Sequence, residues 1–354
     1  RRWHIDLPLL FLLMVLAGVG LVVLYSASGE EIHYVKRQAV FMGLAFVGMV
    51  IAAQIPLEFY RRWSPWFYLA GCCLLVAVLF VGVGAKGAQR WLRIAGFSLQ
   101  PSEMVKPALI VLGGWLLAQR EQYPDGPWAV TAFLFYAVTL GLLLLQPDVG
   151  QSVLLTAAFV VTFFVSGLPW KWAAGFAIGG AGLSASLYAL LPHVRFRVNS
   201  FLNPGSADTY QIDRAAEAIG RGGLFGVGPG EGQVKIHLPD AHTDFIFAVM
   251  VEEFGLIAAL VLMAIFVLLI LRGFRASSRV HDGYARAASA GLFTLFGLQA
   301  AINIAVNLAL IPPKGMTLPF VSYGGSSMIG TGLTLGLALA LVRGQGTRTR
   351  GRYG

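Results

Sequence analysis

The sequence predicts an all-α polytopic membrane protein: ten transmembrane helices, both termini cytoplasmic, and a large extracytoplasmic loop between helices 7 and 8. Three observations carry this expectation. Of 354 residues, 57% are apolar. Only 12% are charged, about half the usual share, which excludes a soluble domain and a disordered chain. Ten apolar runs approach the ~20 residues of a membrane span, and none alternates with period 2 as a barrel strand would.

The runs follow one another at 7–25, 37–56, 65–84, 103–119, 128–146, 150–168, 171–191, 245–271, 286–309 and 325–342. The first is long enough to span, so no cleavable signal peptide is expected. The third follows Arg61 and Arg62 and contains Cys72 and Cys73, adjacent and apolar-flanked, expected as core filler rather than a disulfide. The fourth carries Glu103 and Lys106, and the eighth carries Glu252 and Glu253. The ninth carries Gln299, Asn303 and Asn307 at i, i+4, i+8, a stripe that reads first as glue between helices and second as a polar path. With both termini inside, the inner segments hold more Lys and Arg than the outer ones in about half the length, as the positive-inside rule requires. The chain reads as one domain over 1–354, with a basic cytoplasmic tail at 343–354. The outer loop, 192–244, is rich in glycine and in both charge signs, and reads as an ordered surface site.

Ionisable residues at the outer surface or within spans are costly and mark candidate chemistry. Asp240, His242 and Asp244 stand at the entrance of the eighth span, where a helix N-terminus favours an anion. Asp244 is either an N-cap, a role Thr243 could equally take, or a general base toward a sugar or lipid hydroxyl. Glu103 and Lys106 share one helix face, as a structural ion pair or as a fixed cation beside an outward cavity. Arg90 and Trp91 suit an interfacial segment that meets phosphate, or an ordinary aromatic-belt anchor. Gln100 and Ser102 precede Glu103. Asp148 lies in the tight turn Gln146–Gly150, as a turn former or as a partner for Lys106 or an arginine. Lys314 and Ser322 fall in a Pro- and Gly-rich break between spans nine and ten, tolerated at membrane depth only where it is buried or lines a wet cavity. His4, His33, His193, His237 and His281 show no metal-ligand spacing, and no nucleic-acid module is present. A transferase acting on an anionic, lipid-linked sugar and a lipid flippase both fit these residues. A recruiting scaffold is the blander alternative.

Taken in order, Gly87–Trp91, Gln100–Lys106, Gln146–Gly150, Ala218–Gly230, Leu238–Gly255 and Lys314–Ser327 resemble the SEDS family of bacterial peptidoglycan glycosyltransferases, over essentially the whole chain. Tyr210–Arg214, Gly228–Gly232 and Pro313–Pro319 are most similar to its cell-division branch, of the alphaproteobacterial kind. The chain departs from many members at Arg214 and Ala215, and from some division members at Ile236. The resemblance implies polymerisation of lipid II at the outer leaflet, inverting, with Asp244 as general base on the 4-hydroxyl of the acceptor sugar. It implies substrate contacts at Arg90, Trp91, Gln100, Ser102, Glu103, Lys106, Asp148, His242, Lys314 and Ser322. It further implies a divalent cation, Mg or Mn, with no site assigned. The expected partners are a class B penicillin-binding protein, its single transmembrane helix against spans eight and nine, and other divisome membrane proteins. The expected place is the division septum of the bacterial cytoplasmic membrane.

Overall fold

The computed structural model describes residues 6–85, 88–94, 96–190, 192–202, 210–313 and 315–343. Every expected span appears as a helix: α1 (Leu7–Ala27), α2 (Ile32–Gln54), α3 (Leu57–Val81), α4 (Ser102–Gln122), α5 (Trp128–Leu145), α6 (Val149–Val165), α7 (Trp170–Leu190), α10 (Ile246–Ser278), α11 (Gly283–Asn307) and α12 (Gly325–Arg343). Eight of these are long and apolar enough to cross a membrane; α6 is shorter, at 17 residues, and α4 falls outside the eight. The expected tail from 344 onward lies outside the described residues.

α4, α11 and α12 form the buried centre, with α2, α6 and α10 packed around them. Lipid supplies no hydrophobic drive between helices, so close approach through small residues holds such a centre together. Gly332 and Gly336 on α12 face α2 so tightly that a Cβ on either would lie 2.6–2.7 Å from the carbonyl oxygens of Ala45 and Met49. Cys72 is buried as expected, whereas Cys73 is exposed, because successive residues on a helix point about 100° apart. α7 stands apart, with no fully buried residue among its described side chains.

Two features depart from the expectation. The third helix stops at Val81, and Gly82 opens a three-stranded antiparallel sheet: β1 (Val83–Ala85), β2 (Ala88–Ile94) and β3 (Phe97–Leu99). Val83 pairs with Trp91 and Leu92 with Leu99. Among the described residues, the expected outer loop holds two helices, α8 (Pro192–Leu202) and the amphipathic α9 (Tyr210–Gly222), and a 3-10 turn at Val234–His237.

α10 is broken. Gly255 adopts φ 79, ψ 178, and the chain after α9 lies across the gap. The amides of Val227 and Gly228 donate to the carbonyls of Glu252 and Glu253 (2.9 and 3.1 Å), and those of Leu256 and Ile257 to Gly223 and Leu224 (2.9 and 3.3 Å). The loop thus replaces bonds the helix loses at its break, which membrane depth demands. Both glutamates expected inside this span are buried. Glu252 accepts the amides of Gln233, Val234 and Lys235 (2.8, 2.8 and 3.1 Å). Glu253 pairs with Lys235 (2.6 Å) and accepts from the Ser26 hydroxyl of α1 (2.5 Å).

The connections sort to two ends of the bundle. One end gathers Arg61 with Asp282, Arg343 with Gln54 and Arg272 with Asp6. The other gathers the sheet, the outer loop and the segment between α11 and α12, and all the described candidate residues lie there.

Candidate active site

The turn before α10 is built on Asp240, whose φ of 57 lies in the left-handed region that Asp tolerates better than most residues. Its carbonyl receives the amides of Thr243 (3.0 Å) and Phe245 (3.2 Å). The helix then begins at Ile246 with Phe245 at the N-cap. Asp244 therefore lies outside the capping position, as does Thr243, whose hydroxyl donates to the Asp240 carbonyl. Asp244 is half-buried.

The α11–α12 connection is fastened along this turn. The Tyr323 amide donates to the His242 carbonyl (2.9 Å), the Ser322 hydroxyl to the Thr243 carbonyl (2.5 Å), and the Leu318 amide back to the Ser322 hydroxyl (2.8 Å). A Cβ on Gly315, at φ +63, would stand 3.7 Å from Asp244 Oδ2. Bare backbone thus faces the carboxylate. Lys314, next to it, lies outside the described residues. Gln38 of α2 holds the far end, donating to the Ser322 carbonyl (2.8 Å). The His242 ring lies between Tyr34 and Tyr323 (5.3 and 5.9 Å between centroids). Burial pushes its pKa below the ordinary value, and Asp240 opposes that in part.

The polar stripe of the ninth span is glue. Gln299 donates to the Thr317 carbonyl (3.1 Å), Asn303 to the Met316 carbonyl (2.6 Å), and Asn303 and Asn307 both to the Asp244 carbonyl (2.9 Å each).

A second cluster joins α4 and α6. Lys106 donates to Glu103 (3.0 Å) and to Gln151 Oε1 (2.5 Å), and Gln151 Nε2 donates to the same Glu103 oxygen (2.9 Å). Lys106 is 2% exposed, and Glu103 4%. α12 closes over them: the Ser326 hydroxyl accepts the buried Gln100 amide (2.9 Å), and a Cβ on Gly330 would touch Glu103. The Ser102 hydroxyl is buried with no hydrogen-bond partner among the described residues.

The third cluster holds Arg90 and Asp148. Arg90, on β2, donates to the Pro147 carbonyl (2.6 Å) and faces Asp148 Oδ1 at 3.7 Å. The expected partner of Asp148 is thus an arginine. Burial raises the Asp148 pKa; Arg90 chiefly opposes this, and Lys106 adds to the opposition while Glu103 works against it, so the second and third clusters share one field. Trp91, half-buried, follows on β2. The side chain of Arg90 keeps 19% exposure, against 3% for that of Lys106, so Arg90 is the more outward of the two cations.

A largely apolar cavity of about 750 Å³ lies between α5, α6 and α7, lined by Phe133, Tyr136, Leu140, Trp172 and Phe176. It reaches Val149, beside Asp148. Among the described residues, no group of three or more His, Cys, Asp or Glu is placed to hold a metal ion. The described residues thus assemble no protein-only site for the expected divalent cation.

Sequence reasoning passed over Gln151, Lys235 and Gln38. Each is a lone polar residue whose partner is remote in sequence, so local spacing carried no signal.

The profile of the FtsW/RodA/SpoVE cell cycle proteins matches residues 7–345. The probable peptidoglycan glycosyltransferase FtsW of Caulobacter vibrioides is 46% identical, over 99% of this chain and 92% of that protein. Its namesake in Trichlorobacter lovleyi is 36% identical, over 97% and 94%. Among solved structures, a chain from a peptidoglycan synthase complex, described for its coordination of polymerization and crosslinking, superposes with a TM-score of 0.82 at 29% identity, covering 96% of this chain and 98% of that one. The rod shape determining protein RodA of Thermus thermophilus gives 0.74 at 30% identity, covering 96% and 97%. With the profile spanning nearly the whole chain and relatives this similar across it, the chain belongs to the FtsW/RodA/SpoVE family of cell cycle proteins.

Proposed function

We propose that this chain is a peptidoglycan glycosyltransferase of cell division, polymerising lipid II into glycan strands at the outer leaflet. The observation that carries the reading is Asp244. It is a half-buried carboxylate at the loop-rich end of the bundle, facing glycine backbone, in a chain whose relatives bear that activity in their names.

The proposed step is a single inverting displacement. The Asp244 carboxylate takes the proton of the acceptor 4-hydroxyl as that oxygen attacks the donor's anomeric carbon. The bond from that carbon to the pyrophosphate oxygen breaks, and undecaprenyl pyrophosphate leaves with the electron pair. No enzyme nucleophile is needed, and the transition state has oxocarbenium character. Cations aimed at the leaving group stabilise the charge that develops there. Arg90 meets the phosphate first, Lys106 supports it from behind, and Lys314 is the proposed third. Glu103 holds Lys106 in place, and Asp148 faces Arg90. Half-buried Trp91 and His242 line the sugar and headgroup path, and Gln100, Ser102 and Ser322, buried, support its wall.

The bundle is proposed to cross the membrane ten times, with α4 and α6 completing the count and both termini cytoplasmic. The arginine-rich grouping at one end supports that orientation. The cavity beside α7 takes the lipid chain. A class B penicillin-binding protein docks its transmembrane helix on α10, whose Leu256, Ile257, Leu260 and Val261 are exposed. α11 is almost wholly buried and does not share that face. Other divisome membrane proteins join at the septum. The flippase alternative loses its main support, because the polar stripe is committed to bonds within the protein.

The test is a polymerisation assay on purified protein with its cognate transpeptidase, lipid II and a divalent cation. Wild type should give glycan polymer and a folded Asp244→Asn variant none. Absence of polymer from wild type, partner present, would overturn the transferase reading. Polymer from both would retire Asp244 as the base.

A further inference from the structure

We propose that Asn303 and Asn307 are positioning residues for Asp244, with Asn303 also fixing the gap between that carboxylate and the α11–α12 connection. The proposal deepens the reading of Asp244 as general base and rests on it. A pair of amides at i, i+4 in a span ordinarily ties one helix to another. Here both donate to a single atom. Asn303 Nδ2 and Asn307 Nδ2 each lie 2.9 Å from the Asp244 carbonyl oxygen. A carbonyl has two lone pairs, and both are engaged. The peptide plane that follows Asp244 is thereby held, and with it the position of its Cα, from which the side chain projects.

Each amide has a second anchor. Asn307 Oδ1 accepts the Ala248 amide (3.0 Å) in the first turn of α10, which has no side-chain cap of its own. Asn307 Nδ2 also reaches the Asn303 carbonyl (2.9 Å). Asn303 Nδ2 donates to the Met316 carbonyl at 2.6 Å. Met316 follows Gly315, the residue whose Cβ position stands 3.7 Å from Asp244 Oδ2. One amide group thus bridges the backbone of Asp244 and that of the α11–α12 connection. Asn303 is 1% exposed and Asn307 fully buried, so water does not substitute for either without rearrangement. Misplacement of a reacting group by about 1 Å can lower a rate on the order of 100-fold.

The experiment compares wild type, Asn303→Ala and the milder Asn303→Ser, each in complex with the cognate transpeptidase, by two readouts. In hydrogen–deuterium exchange, the variants should lose protection together in 243–248 and 315–323, while the body of α11 keeps it. In lipid II turnover, kcat should fall about tenfold or more with KM within about twofold, because the bridge orients the base rather than binding substrate. Unchanged exchange in both segments, a KM rise matching the kcat loss, or activity that falls only as the folded fraction falls would each overturn the proposal. The exchange arm does not depend on catalysis. A wild type inert on lipid II would end the transferase reading, and exchange would still decide whether the bridge exists.

Discussion

Lys106 and His242 solve one problem in opposite ways: a titratable group taken out of water needs a partner or must stay neutral. Lys106 has partners, sharing Glu103 and Gln151 in a closed triangle. His242 is walled by Tyr34 and Tyr323, and burial lowers its pKa from the ordinary 6.5 against the weaker pull of Asp240. Above about pH 6.5 the imidazole is neutral folded and unfolded, and contributes no pH dependence. As pH falls below that value, the unfolded chain binds a proton that the folded turn resists, so stability of the turn is lost. After correction for intrinsic rates, exchange of the amides in 238–245 should therefore rise between pH 7 and pH 5.5. His242→Gln should remove that rise, and a persistent rise would assign the effect to another group. At this scale the sequence disclosed which residues carry charge. Their partners it withheld, because Gln151 lies 45 residues from Lys106 and nothing local marks it.

Among the elements, α10 shows how a helix survives a break inside a bilayer. The Gly222–Gly228 segment covers its exposed backbone, and Glu252 in return binds three amides of the outer loop. Gly255 is required there on two counts. Its φ of 79 disfavours any side chain, and a Cβ would lie 2.4 Å from both the Gly226 nitrogen and the Leu224 oxygen. Gly255→Ala should destabilise the protein by more than about 1 kcal/mol, read as a lower thermal midpoint in detergent. Gly179→Ala, on α7 with nothing within 4 Å of its Cβ position, should leave the midpoint nearly unchanged. Equal midpoints for both would show that the break bears no strain. The ten helices were legible because each contains a long apolar run, even where charges such as Glu103 and Lys106 interrupt it. The sheet was not: its longest strand has seven residues, and it stands between spans where the apolar pattern offers no contrast. The crossing of loop and broken helix is a pairing between remote segments, which no periodicity records.

For the whole molecule, a rigid centre of α4, α11 and α12 contrasts with a loosely held α7. The cavity between α5, α6 and α7 follows from that looseness, since Gly175, Gly179 and Gly180 present no side chains to fill it. Gly175→Leu with Gly179→Leu enters open space and should change stability by no more than about 0.5 kcal/mol. Narrowing the cavity should raise KM for lipid II several-fold in the polymerisation assay. Unchanged kinetics would remove the cavity from the substrate's path.

The sequence by itself determined that the chain is helical and built for lipid, because long apolar runs leave the backbone no other way to satisfy its hydrogen bonds. It also marked which carboxylates and cations stand near the ends of those runs. Only the tertiary structure decided that Asp244 is held by two asparagines, that Lys106 is enclosed, and that the polar stripe of α11 serves the protein's own backbone. Those outcomes depend on which segments meet. Segment meetings are chosen by close packing of small residues and by the need of each buried polar group for a partner, and both are properties of the assembled bundle rather than of any one stretch of chain.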